Sequence, residues 1–238
     1  MAGKIIPKSN RSLYSTFMFS GTIFGGFFGH IFSGLVIPLV SNDGSFFMLS
    51  VFGFIWTAMW TTMIHVTPYE RTHDASNHSM MLFSTPWSTI LQTPSFVSLL
   101  VACMGFGYLY SFVTTAIPIY FAKILGGDYI KNGISVSINW LICWLTAIFA
   151  GLLAASLTNV NDTSTKTIVR KVYAGIVLIL SPMMLLGVML ADCNKSLVQN
   201  FLSMSVILLA FERASLRINA LDLCPGESGL NMSMIRLK

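Results

Sequence analysis

Charge is the property that this sequence has least of. Only 10% of its 238 residues are Asp, Glu, Lys or Arg, whereas soluble domains average about 25%. The mean hydropathy is correspondingly high, at +0.72. A soluble domain is therefore excluded, and the bilayer becomes the expected partner. The net charge of +5 is too small and too scattered to indicate a nucleic-acid partner.

Metal-binding and catalytic patterns are lacking as well. The four cysteines include no C-x-x-C pair, so neither a zinc site nor a disulfide framework is indicated. His73 and His78 are five residues apart, whereas helical metal ligands usually lie three or four apart, so we interpret them as loop residues. No Gly-x-Ser-x-Gly motif or pair of intramembrane aspartates is present. The sequence therefore predicts no metal site, no cofactor and no enzyme.

Long uncharged runs are what the sequence does contain. No Asp, Glu, Lys or Arg occurs from Ala75 to Ala122, and Pro94–Phe121 is apolar enough to cross a bilayer core about 30 Å thick as one helix. Pro118 is expected to kink this helix near its end. Several of its side chains carry hydroxyl groups, for which lipid offers no hydrogen-bond partner, so we expect one face to line a polar path. The candidate residues are Tyr108, Thr114, Thr115 and Tyr120.

Other long apolar runs occur along the chain, and each is long enough to cross the bilayer as a helix. The chain is therefore predicted to be an all-α, polytopic bundle of about six membrane-spanning helices. A turn is expected at Ser41–Gly44 and a polar connector at 158–171, and Pro182 should kink the fifth helix. Asn139, in the fourth span, is a further candidate for the polar path. The predicted spans are 13–40, 45–66, 94–121, 134–157, 172–191 and 198–221.

The first span carries three glycines at intervals of four residues. Gly21, Gly25 and Gly29 therefore share one helical face, and small residues at this spacing allow two membrane helices to approach closely. We expect that face to pack against another helix. His30 beside it is either a proton-relay group or a neutral structural histidine.

Basic residues predict the orientation of the spans. With six spans both termini lie on one side of the membrane, and that side collects nine Lys and Arg residues against three on the other. Cytoplasmic loops carry the excess of positive charge. Both termini are therefore predicted to be cytoplasmic. The nine are Lys4, Lys8, Arg11, Arg71, Lys166, Arg170, Lys171, Arg236 and Lys238.

The order of several short motifs resembles a known family, the anion:cation symporters of the major facilitator superfamily. Its members include phosphate cotransporter-like, sialin-like and vesicular glutamate transporter-like proteins. Each motif is weak alone, but they recur there in the same order and at similar distances. The motif residues are Pro86 and Trp87, Pro118 and Tyr120, Arg170 and Lys171, and Asn219, Asp222 and Pro225.

The resemblance implies a partial major-facilitator fold that corresponds to helices 5–10 of twelve. Residues 1–66 would end the N-terminal bundle with two spans, 67–94 would be the central cytoplasmic loop, and 95–238 would form four spans of the C-terminal bundle. The implied function is alternating-access transport of a small organic or inorganic anion with a coupling cation, Na⁺ or H⁺. The alternative is a truncated paralogue or fragment without transport, which serves as an assembly partner for helices from another chain.

Two departures from the family pattern concern charge. Phe106 stands where vesicular members carry an arginine, and Ala155 follows Gly151 and Ala154 where an Asp is usual. The sixth span carries Glu212, Arg213 and Arg217 instead. Arg213 either extends to the lipid headgroups, which we favour, or faces the cavity and binds the anion in place of the arginine absent at Phe106.

Overall fold

The computed structural model describes residues 11–63, 91–124, 126, 128–158, 163–191 and 194–223. Within these residues all regular secondary structure is helical. Five helices are long and apolar enough to cross a membrane. They confirm five of the six predicted spans and the all-helical membrane fold.

The first helical run, Arg11–Met63, is interrupted at Ser41, whose φ of 79° is outside the helical region. The interruption falls in the predicted Ser41–Gly44 turn and separates α1 (Thr16–Ser41) from α2 (Asp43–Met63). Two single helices follow, α3 (Pro94–Lys123) and α4 (Tyr129–Thr158). Pro118 lies inside α3, which continues beyond it to Lys123.

The fifth span begins earlier than predicted. Helix α5 (Thr163–Gly175) includes residues 163–171, nine of the 14 residues that we expected to form a polar connector. It continues through a π-helical turn at Ile176–Leu180 into α6 (Ser181–Met189). The disturbance expected at Pro182 therefore occurs in the turn before it. The Ser181 N–H bonds to the Ile176 carbonyl five residues back, which adjusts the hydrogen-bond ladder where proline cannot donate.

The sixth span is not one helix, and this part of the prediction was wrong. Helix α7 (Lys195–Leu208) gives way to a 3₁₀ segment, Leu209–Ala214, followed by α8 (Leu216–Leu223). Ser215 between them has φ −121° and ψ −88°, outside helical geometry. The break coincides with Glu212 and Arg213, which end the apolar run.

The contacts divide the chain into two compact units. One unit contains Met1–Leu35 and Ser98–Lys238, and the other contains Val36–Val97. In the second unit, α2 leaves most side chains exposed, and its hydroxyl groups, such as Thr57, bond to carbonyls of their own helix. The predicted assignment of 1–66, 67–94 and 95–238 to parts of two bundles stays a prediction, because residues 64–90 lie outside the described residues.

The core of the first unit lies among α3, α4, α7 and the 3₁₀ segment. One face of α3 is buried there, and its residues follow helical spacing: Leu99, Phe106, Leu109, Val113, Ile117 and Phe121. Helix α4 contributes Trp140, Cys143 and Ala147 to the same cluster. Ser181 and Ser205 lie fully buried where α6 meets α7, and their hydroxyl oxygens are 2.9 Å apart.

Helix α1 meets α4 through a different glycine from those predicted. A Cβ atom built on Gly133 would lie 2.5 Å from the Gly34 Cα. By contrast, Cβ atoms on Gly21, Gly25 and Gly29 would meet nothing within 4 Å in the described residues. Periodicity identified a face of small residues, but among the described residues that face is not the one that contacts α4. Its close packing stays a prediction for helices outside this chain.

Candidate functional site

The 3₁₀ segment places two charged residues in the interior of the first unit. Glu212 and Arg213 are each only 2% exposed. The segment packs against α4 and α5, and its last turn is closed by the Ser215 N–H, which donates to the Glu212 carbonyl at 3.1 Å. Burial of a charged side chain is costly unless other groups compensate it, so the surroundings of these residues decide their role.

Glu212 lies between two arginines that hold it unequally. The Arg217 Nε atom donates a 2.9 Å hydrogen bond to Glu212 Oε1. The Arg213 Nε atom lies 3.1 Å from Glu212 Oε2. That distance is short enough for an ion pair, but neither atom has a hydrogen-bond partner in the described part of the chain. The contact is therefore one of charge alone, because the direction of the N–H bond is unfavourable.

Arg213 does not extend to the surface, so the interpretation that we favoured from the sequence was wrong. Its side chain is 2% exposed, and Glu212 compensates part of its charge. Arg217 is the residue nearer the surface, with a side chain that is 45% exposed. The Arg217 guanidinium carbon lies 5.4 Å from the centre of the Phe19 ring on α1, a cation–π contact.

Arg213 and Asn139 each carry a buried hydrogen-bond donor without a partner among the described residues. These donors are the Arg213 Nη1 atom and the Asn139 Nδ2 atom. Asn139 lies one turn before Cys143 on α4, and both Cys143 and Tyr110 are within electrostatic range of Arg213. Two arginines and one glutamate leave the cluster with one net positive charge. We call Glu212, Arg213 and Arg217 the arginine cluster.

The four residues of the predicted hydroxyl path on α3 differ in their exposure. Tyr108 is 78% exposed, and Thr115 is exposed as well. Thr114 is half-buried and donates to the Tyr110 carbonyl of its own helix at 2.9 Å. Tyr120 is also half-buried. Within this chain the hydroxyl groups lie beside the apolar contact face, so the polar path stays a prediction.

The structure brings two of the motif residues together. Arg170 Nη1 donates to Asn219 Oδ1 at 3.5 Å, and the Arg170 carbonyl accepts a 2.8 Å hydrogen bond from Ser215 Oγ. These contacts attach α5 to α8 beside the break that carries the arginine cluster. Lys171 is exposed. Pro86, Trp87, Pro225 and the side chain of Asp222 lie outside the described residues.

His30 and the buried serines show what sequence reasoning left open or missed. The His30 ring stacks on Trp140, with ring centres 5.9 Å apart, and the choice between a structural and a proton-relay role for its imidazole stays a prediction. Ser181 also donates to the Ser205 carbonyl at 2.9 Å. The two serines are 24 residues apart, and no spacing rule connects them. The sequence showed Glu212 as a charged residue at the end of an apolar run. It did not show that Arg217 forms a hydrogen bond with Glu212 whereas Arg213 makes only a charge contact.

A model of the Major Facilitator Superfamily matches residues 1–237. The chain belongs to this superfamily. The predicted resemblance is thereby confirmed, and the membrane helices are those of a transporter family.

Curated relatives agree with this assignment. Sialin from Ovis aries is 26% identical over 235 residues, which cover 94% of this chain and 47% of sialin. A "Putative inorganic phosphate cotransporter" from Drosophila melanogaster is 25% identical over 249 residues, covering 98% of this chain and 47% of that protein. "Probable anion transporter 1, chloroplastic" from Oryza sativa is 25% identical over 185 residues, covering 73% of this chain and 34% of that protein. The chain thus spans about half or less of the length of these relatives.

Proposed function

We propose that this chain forms part of a transporter that moves small organic or inorganic anions by alternating access, coupled to Na⁺ or H⁺. The observation that carries the proposal is the arginine cluster, with its one net positive charge and its unused buried donors. Relatives named as phosphate cotransporters and anion transporters support the same substrate class. The alternative, an assembly partner without transport, is not favoured by these relatives.

The chemistry of Arg213 suits an anion. A guanidinium group presents several N–H donors in a fixed plane and can bind both oxygens of a carboxylate or phosphate. Such a group is costly inside a membrane, and charged residues there usually mark a substrate or ion pathway. Arg213 leaves its Nη1 atom without a partner in the described residues. An anion that bound there would satisfy this donor and neutralise the cluster.

The proposed transporter requires more helices than this chain supplies. In transporters of this kind the substrate site lies near the midplane, between two structural repeats. We propose that residues 1–66 belong to the N-terminal bundle and 95–238 to the C-terminal bundle, with both termini in the cytoplasm. Helices that the relatives have outside the matched region would complete the cavity, from the same polypeptide or from another chain.

Uptake in a completed transporter tests the proposal. The chain would be joined to the segments that a sialin-like relative has outside the match, and uptake of labelled phosphate, sialate, glutamate and urate would be measured. We expect Arg213→Gln to abolish uptake, and Arg213→Lys to reduce it because an ammonium group lacks the planar fork. Lys131→Gln is the matched control, since it removes the charge of an exposed side chain. Uptake that survives Arg213→Gln at normal surface expression would refute the role of Arg213.

A further inference from the structure

Glu212 is itself an anion, and it already occupies the position beside Arg213. Its Oε2 atom is 3.1 Å from the Arg213 Nε atom, yet no hydrogen bond joins them. Its Oε1 atom has a directed 2.9 Å hydrogen bond from Arg217. The carboxylate is thus held firmly on one side and weakly on the other, and the weakly held arginine is the more deeply buried one.

We infer that Glu212 is an internal counter-ion that competes with the transported anion for Arg213, and that Arg217 retains Glu212 when the anion binds. This inference rests on the proposed function and specifies how its site is regulated. An incoming carboxylate or phosphate takes the charge contact that Glu212 makes with Arg213. The Glu212–Arg217 hydrogen bond remains, so neither charge is left unpaired.

Arg217 is suited to retain Glu212 because its own position does not depend on Arg213. Its guanidinium group lies over the Phe19 ring at 5.4 Å and is half-exposed, whereas Glu212 and Arg213 are buried. Removing one partner of a buried ion pair is strongly destabilising because the other charge is left uncompensated. A second arginine avoids that cost when the anion displaces Glu212 from Arg213.

The charge of the cluster specifies the ligand class. With Glu212 ionised, the cluster has one net positive charge, which a monovalent anion neutralises. The charged residues described on the packed helices α4 and α5 are Lys131, Lys166, Arg170 and Lys171, so these helices supply no described acid to the site. Tyr110 and Cys143 are within electrostatic range of Arg213, and their hydroxyl and thiol groups are neutral in their ordinary protonation states. A monocarboxylate or dihydrogen phosphate therefore fits better than a dianion.

Binding to the purified chain in lipid nanodiscs tests the inference separately from transport. Isothermal titration at low salt with lactate, and with inorganic phosphate below its second pKa so that dihydrogen phosphate predominates, gives the dissociation constants, with sulfate as the dianion probe. Glu212→Gln removes the competitor, and we expect it to tighten monoanion binding by about tenfold, a difference of about 1.4 kcal/mol, and to admit sulfate. Arg217→Gln should weaken binding, because Glu212 then pairs only with Arg213. Lys131→Gln is the matched control and should change nothing.

The double variant decides whether the two effects share one cause. If Arg217 acts only by retaining Glu212, Arg217→Gln should have no effect in the Glu212→Gln background, so the two substitutions are not additive. Glu212→Gln binding that equals or is weaker than wild type would overturn the inference and leave the proposed function intact, provided that Arg213→Gln abolishes binding. No binding to the wild type or to any of these variants would refute the inference, and uptake by the completed transporter would still decide the proposed function. If Glu212→Gln does not fold, Arg217→Gln binding as tight as wild type overturns the inference by itself.

Discussion

Gly133→Ala is the substitution whose effect follows most directly from the geometry. The added Cβ atom would lie 2.5 Å from the Gly34 Cα atom and 3.2 Å from both the Gly34 nitrogen and the His30 carbonyl oxygen. All three are backbone atoms of α1, so no rotamer change can relieve the overlap. Carbon atoms in contact are about 3.5–4.0 Å apart. The two helices would therefore have to separate locally by about 1 Å, the difference between that contact distance and the built one.

The magnitude is the difference between two opposing effects. Overpacking typically costs about 1–3 kcal/mol of folding free energy. Because the atoms that face Gly133 are backbone atoms of α1, we expect a cost near the upper end of that range. Replacing a helical glycine by alanine stabilises the helix by up to about 1 kcal/mol, because alanine has the higher helix propensity. We expect a net loss of about 2 kcal/mol, which corresponds to a decrease in Tm of about 4–8 °C for a chain of this length.

The assay is thermal unfolding of the purified chain in one detergent, followed by tryptophan fluorescence. Gly107→Ala on α3 is the matched control, because its Cβ would meet nothing within 4 Å. It should leave Tm unchanged or slightly raised. Gly25→Leu, on the glycine face that the sequence indicated, should also leave the Tm of the isolated chain unchanged. If Gly133→Ala unfolds at the same temperature as Gly107→Ala, the close approach of α1 and α4 is refuted.

Two further predictions concern topology and the buried serines. In a background without native cysteines, Ser76→Cys should react with an impermeant thiol reagent only after permeabilisation, and Asp128→Cys should react from outside; the reverse result would exclude cytoplasmic termini. Ser205→Ala leaves the buried Ser181 hydroxyl with only the Ser205 carbonyl as partner, so it should cost about 1 kcal/mol in unfolding experiments. Ser203→Ala, two residues earlier on the same helix and half-buried, should cost less, and equal losses would contradict the role of the serine pair.

The length and composition of the apolar runs made most of the fold predictable. Pro94–Phe121 has no charged residue, and helix α3 occupies it because a bilayer leaves a single segment no other way to satisfy its backbone. The turn at Ser41 was predictable from four consecutive turn-forming residues. These are local constraints, and a sequence displays local constraints directly.

The unpredicted features depend on which faces meet in three dimensions. The spacing of Gly21, Gly25 and Gly29 defines a face but not its partner, and the contact of α1 with α4 is made through Gly34 and Gly133. Arg213 was placed near the surface because snorkelling is the usual solution for a charge near a helix end. The structure instead compensates it with Glu212 inside the protein. Such compensation depends on the 3₁₀ winding, which no periodicity revealed.

The π-helical turn at Ile176–Leu180 sets the rotational phase of the helix that passes through it. One additional residue in a turn rotates every later side chain by about 100° relative to an uninterrupted α-helix. Before the turn, α5 contacts α4, α8 and the 3₁₀ segment that carries Glu212 and Arg213. After it, α6 contacts α7. The inserted residue therefore rotates the face that contacts α7 at the buried serine pair relative to the face that contacts the charged break.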